Sequence, residues 1–197
     1  PQNQYAISKY TQEMIAINLG KRYAIPSVCL RYSIVQGSRQ SIYNAYSGAM
    51  RIFSMSLFQK NSPIIFEDGN QIRDYVNIED VVEANLIVLE DNKADYMVFN
   101  VGGDNVISVN EFYEMVDKVY GTGLTPIRDG SYRYGDTRHI YSDISRLRHL
   151  GWKPTRSLQY SIQCYKKYLE SQKDIVDSVR MSLNHMKKLN VIRKARI

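Results

Sequence analysis

The sequence predicts an α/β fold. Stretches with apolar residues at helical spacing alternate with short β-branched or aromatic runs, and cap or turn signals stand between them. The composition suits a packed domain: of 197 residues, 44% are hydrophobic and 23% charged, neither disordered nor fibrous in balance.

The elements follow in order. Residues 5–22 read as a helix, with Ile7, Met14, Ile15, Ile17 and Leu19 as its apolar face and Gly20 near its end. Pro26 leads into a short strand over residues 27–32, and a polar loop runs from Gln36 to Asn44. Residues 47–60 resume helical spacing with Met50, Ile52, Phe53 and Leu57. Ile64-Ile65-Phe66 reads as a strand before the turn signal Asp68-Gly69, and Ile72 to Ile78 as another. Residues 79–90 are predicted helical, capped by Asn77 or Glu79. A strand from Tyr96 to Val101 ends at Gly102-Gly103. Ser108-Val109-Asn110-Glu111 is a capping box that starts a helix reaching Tyr120. Residues 139–143 read as a short strand, 143–150 as a short helix closed by Gly151, and 157–172 as a longer helix. There is no internal repeat and no low-complexity stretch.

No apolar run approaches the ~20 residues needed to span a bilayer. Pro1-Gln2-Asn3-Gln4 lacks the basic-then-apolar order of a signal peptide. The two cysteines, Cys29 and Cys164, are far apart, which excludes a disulfide framework or a cysteine-zinc site and points to the cytoplasm; no metal site is expected. The net charge of +6 is uneven: residues 144–197 hold 13 Lys/Arg against 3 Asp/Glu, whereas residues 1–143 hold 13 against 17. Basic groups confined to one end give no electrostatic case for nucleic acid.

Tyr5 and Lys9 stand at i and i+4, so a helix puts them on one face. An ammonium beside a phenol favours the phenolate, which suits a general base acting on a hydroxyl. With 16 tyrosines and 12 lysines in the chain, about one such pair arises by chance, so the pair alone could equally be an exposed helix contact.

Context decides between these readings. Tyr5-Ala6-Ile7-Ser8-Lys9 resembles the Y-x-x-S-K helix of extended short-chain dehydrogenases/reductases. Further segments resemble that family in the same order. They are residues 30–40 (LRYSIVQGSRQ), 66–69 (FEDG), 73–81 (RDYVNIEDV), 99–103 (FNVGG) with the 108–112 junction, 133–139 (RYGDTRH) and 150–154 (LGWKP). The stretch Gln40 to Phe53, with Asn44-Ala45-Tyr46-Ser47-Gly48, is most similar to nucleotide-sugar 4-epimerases.

The resemblance implies the C-terminal part of a Rossmann-like doubly wound parallel sheet plus a smaller α/β substrate-binding subdomain over residues 1–170, followed by a basic helical tail over 171–197. It implies an NAD-dependent epimerase acting at C4 of a UDP- or dTDP-hexose, with NADP a second candidate cofactor, working as a cytoplasmic homodimer. Tyr5 and Lys9 would be catalytic and, with Tyr32 and Ser33, would contact the cofactor. Arg73 and Arg133 would grip the nucleotide diphosphate with their planar forks, and Asp136 would accept from ribose hydroxyls. A dehydratase or decarboxylase, or a non-catalytic nucleotide-sugar binding module, are the alternatives.

The family's Gly-rich turn after its first strand, which lets backbone N–H groups approach a dinucleotide pyrophosphate, is matched by none of the eleven glycines. The chain is therefore expected to match roughly the C-terminal 60% of such an enzyme. Three positions depart from the family pattern: Ile34 replaces an Asn that hydrogen-bonds substrate, Gln36 a Tyr/Phe and Ser38 a Pro. In the tail, Val179, Leu183 and Met186 share one helical face beside Arg180, Lys187, Lys188, Arg193, Lys194 and Arg196. Such a helix lies on an anionic membrane, binds a partner, or packs on its own domain or a subunit neighbour with a solvated basic face; packing is the preferred reading.

Overall fold

A computed structural model describes residues 3–44, 48–173, 175–176 and 178–194. Residues 45–47 of the epimerase-like stretch, and Arg196 of the tail, lie outside the described residues.

Helix α1 (Gln4–Tyr23) begins where Asn3 Oδ1 accepts from the Ala6 N–H at 2.9 Å, and it ends at Ala24 in a left-handed conformation. Strands β1 (Cys29–Tyr32) and β2 (Ile34–Gln36) follow, then α2 (Ala49–Phe58), β3 (Ile72–Asn77) and α3 (Ile78–Glu90). Asn77 caps α3 by accepting from the Glu79 N–H at 2.8 Å. Next come β4 (Val98–Val101), β5 (Asn105–Ser108) and α4 (Val109–Tyr120). The capping box forms as predicted: Ser108 Oγ accepts from the Glu111 N–H, and the Glu111 carboxylate accepts from the Ser108 N–H. Bonds from the Ser108 N–H and the Ser108 hydroxyl hold the Glu111 carboxyl below its usual range. The last elements are β6 (Ser131–Arg133), α5 (Ser145–His149), α6 (Leu158–Ser171), α7 (Ser178–Lys188) and β7 (Ile192–Lys194).

Strands β1 and β4 pair in parallel, as do β2 and β3, while β5 adds to β3 antiparallel and β6 pairs β7 antiparallel. Two cores result. In one, Phe53 of α2, Phe112 of α4 and Tyr75 of β3 pack their rings together over Ile162 and Tyr165 of α6. In the other, Val76, Ala84, Phe99, Val101 and Leu147 surround Trp152, whose Nε1 donates to the Asp80 carbonyl at 3.0 Å. Arg31 of β1 grips Glu13 of α1 through both carboxylate oxygens at 2.6 and 2.7 Å, which fixes the Tyr5 helix against the sheet and lowers the Glu13 pKa.

Several expectations need correction. Ile64–Phe66 makes a single bridge, Ile64 to Ile127, because Pro63 and the left-handed Glu67 leave no room for a ladder. Residues 139–143 form no strand: Ile140 makes one ladder-like bond, to the Ile72 carbonyl at 3.1 Å. The tail is not helical throughout. After α7, Asn190 turns left-handed and β7 pairs with β6 in a two-stranded antiparallel sheet. Val179 and Met186 of α7 are buried, so this helix packs on its own domain. Among the described residues no helix is long and apolar enough to cross a membrane.

Candidate active site

Two adjoining hollows meet at Tyr5. The first, about 730 Å³, is lined by Tyr5, Lys9 and Glu13 of α1 and by Leu30, Tyr32 and Ser33 of and after β1. The second, about 470 Å³, is lined by Tyr5, Ile34, Ile52, Phe66, Arg73, Tyr75, Arg133 and Asp136, among others. Tyr5 is 72% exposed and lines both hollows. The Lys9 ammonium lies over the Tyr5 ring, 5.8 Å from its centre, and donates to Gln12 Oε1 at 3.4 Å.

In the second cleft, Arg73 Nη1 donates to the carbonyls of Ile72 (2.9 Å) and Arg138 (2.5 Å). Arg133 Nε stands 3.8 Å from Asp136 Oδ2. The loop carrying Asp136 is tied down at both ends. Asn3 Nδ2 donates to the Gly135 carbonyl at 3.1 Å, and Arg138 grips Glu67 and Asp68 at 2.6 and 2.7 Å. His139 is structural, its Nδ1 accepting from the Ile72 N–H at 3.2 Å.

The Arg138 guanidinium and the Asn70 N–H hold the Asp68 carboxyl down to about 2, against an ordinary 3.8. Because the folded value is depressed, the stabilisation from this contact is complete above about 3.8 and lost as pH falls through about 2. A carbon-detected NMR titration should give Asp68 a midpoint near 2, and a midpoint near 3.8 would contradict the contact.

Sequence reasoning placed Tyr5, Arg73, Arg133 and Asp136 in one site, and they line one cleft. Lys9, Tyr32 and Ser33 line the neighbouring hollow, with Tyr5 common to both. The hydroxyls of Tyr32 and Ser33 are committed elsewhere: Tyr32 donates to Asn85 Oδ1 at 3.0 Å, and Ser33 to the buried Asp74 at 2.8 Å. Two contributors were missed. Asn3 was readable as a helix cap but not as the tether between α1 and the Gly135 loop. Asp74 joins Ser33 to the Gly103 N–H, a junction of three distant segments without a local signal.

A family model described as the NAD dependent epimerase/dehydratase family matches residues 1–102. The chain belongs to this family. It is 36% identical over 163 residues to a Methanocaldococcus jannaschii protein provisionally named UDP-glucose 4-epimerase, covering 83% of this chain and 52% of that protein. The UDP-glucose 4-epimerase of Thermotoga maritima, solved with UDP-glucose, aligns with a TM-score of 0.79 at 32% identity, over 84% of this chain and 53% of that one. The Thermus thermophilus UDP-glucose 4-epimerase, solved with NAD, aligns with a TM-score of 0.77 at 25% identity, over 88% and 56%. The chain spans about half the length of the curated relatives it matches. Within this epimerase/dehydratase framework, Ile34 stands on the cleft wall beside Gly48 and Ile52, where its side chain offers apolar surface and no hydrogen bond.

Proposed function

We propose that this chain supplies the substrate-side portion of an NAD-dependent nucleotide-sugar 4-epimerase acting on a UDP- or dTDP-hexose. One observation carries the reading: an exposed phenol stands where two hollows meet, with an ammonium in one and two guanidinium groups in the other. A diphosphate needs cations with planar, paired donors, and a sugar hydroxyl needs an acid/base within reach; the second cleft holds both.

The donor chemistry of the first hollow fits a dinucleotide, since an ammonium and a phenol side by side suit the ribose hydroxyls. Tyr5 and Lys9 would hold that ribose, with Tyr32 and Ser33 forming the wall. NAD, when bound, supplies a reversible two-electron acceptor for the C4 carbon. Tyr5 takes the proton of the C4 hydroxyl and returns it in the reverse sense. Lys9 contributes the adjacent positive charge. Arg133 and Arg73 anchor the diphosphate while the sugar presents either face to Tyr5, and Asp136 accepts from a nucleotide ribose hydroxyl.

The β1–β4 layer with α3 is read as the Rossmann-like part and the cleft-forming elements as the substrate subdomain. We assign the enzyme to the cytoplasm, in keeping with its two unpaired cysteines, and to a homodimer, which light scattering of the full-length protein tests.

The function is tested by assaying the full-length protein with NAD against UDP- and dTDP-hexoses for C4 inversion; turnover of neither class overturns it. Arg73→Ala and Arg133→Ala should each weaken UDP binding by about ten- to a hundredfold, as expected for a lost charge-assisted bond of ~1.5–3 kcal/mol. Calorimetry measures this, and unchanged affinity removes the arginine from the diphosphate site.

A further inference from the structure

Arg133 enters the cleft from β6, and β7 is the strand that covers β6. Arg133 faces Ile192, Tyr132 faces Arg193, and the Tyr134 N–H donates to the Val191 carbonyl at 2.9 Å. Directly opposed residues of an antiparallel pair project to one side. Ile192, which is buried, is therefore the flank of Arg133. Arg193 lies on the opposite side, with its guanidinium 3.8 Å over the Tyr134 ring.

Strand β7 hangs from α7, closed by a bond from the Val191 N–H to the Met186 carbonyl at 3.0 Å. The start of α7 is fastened by Arg51, a residue of α2 with no exposed surface. Arg51 Nε donates to the Ile42 carbonyl at 2.8 Å. Its Nη2 reaches the Ser178 carbonyl, Ser178 Oγ and Ser182 Oγ at 3.0 Å each. These acceptors are uncharged, and burial pulls the guanidinium below its usual pKa. Burying a cation against neutral groups is unfavourable, so the contact must be offset by what it fastens. What it fastens is α7 to α2, the helix whose Ala49, Ile52 and Phe53 wall the same cleft.

We propose that Ser178–Lys194 is a clasp that sets the position of Arg133, with Arg51 as its anchor and Ile192 as the positioning residue. The inference rests on the reading of Arg133 as a diphosphate ligand.

The test is UDP binding by calorimetry on the full-length protein, on a form ended after Leu189, and on both with Arg133→Ala. Truncation should weaken UDP about tenfold in the unaltered background and leave it unchanged once Arg133 is gone. Equal losses in both backgrounds, or none, overturn the clasp. Ile192→Ala, which keeps the whole chain, should act in the same direction. Arg193→Ala, on the far side of the strand, should leave affinity unchanged, and a loss there equal to that of Ile192→Ala overturns the assignment of Ile192. If the unaltered chain binds no UDP, the nucleotide-sugar reading fails by itself. Amide exchange at Tyr134 then judges the clasp: it quickens about tenfold on truncation if β7 holds β6, and an unchanged rate overturns the clasp.

Discussion

Tyr5→Phe should lower turnover of the full-length enzyme by about 10²- to 10⁴-fold while leaving UDP affinity within about twofold. The substitution removes one oxygen. The ring stays on α1, so the walls of both hollows, to which Tyr5 contributes, keep their shape. Tyr5 lines both the ammonium hollow and the arginine cleft, and proton transfer at a sugar hydroxyl needs a group of its kind. A fall in kcat with UDP binding retained separates a chemical role from a structural one. Intact turnover would mean that another residue carries the proton.

Asp80→Ala should destabilise the fold clearly, by about 1–3 kcal/mol for each donor it strands, because it removes a buried acceptor from two backbone N–H groups and a hydroxyl. Asp80 has no exposed surface. Its Oδ1 accepts from the Thr155 N–H, the Thr155 hydroxyl and Arg156 Nη1, each at 3.0 Å, and its Oδ2 from the Arg156 N–H at 3.1 Å. The aspartate thus joins α3 to the segment that leads into α6, with Trp152 seated on its carbonyl. Arg156 also reaches Glu79 and Glu83, which are far more exposed. Glu83→Gln should therefore change stability by only about 0–1 kcal/mol. Urea unfolding of the two variants measures the contrast. Equal, small effects would show that the buried carboxylate does not organise this junction.

How much of this was legible in the sequence varies by element. The helices with strong periodicity and caps were read closely: the Ser108–Glu111 box opens α4, and Gly121 at φ 67° closes it, a left-handed position that suits glycine. The family resemblance implies roles for Tyr5, Arg73, Arg133 and Asp136 on one substrate, and the four line one cleft. The three-residue strands β2, β6 and β7 were not read, because each is defined by a partner distant in the chain rather than by its own pattern. The same holds for polar junctions. Nothing local in the sequence says that Asn3 reaches Gly135, that Ser33 gives its hydroxyl to Asp74, or that Arg51 is buried against Ser178 and Ser182. Arg51 carries no local signal for burial, and tertiary packing makes it a fastener.

A crystal structure of the full-length protein with a bound UDP-hexose addresses the central claim most directly. The account predicts diphosphate oxygens within ~3 Å of Arg73 and Arg133 and the C4 hydroxyl at hydrogen-bond distance from Tyr5 Oη. A diphosphate bound away from both arginines, or a sugar turned away from Tyr5, would contradict it.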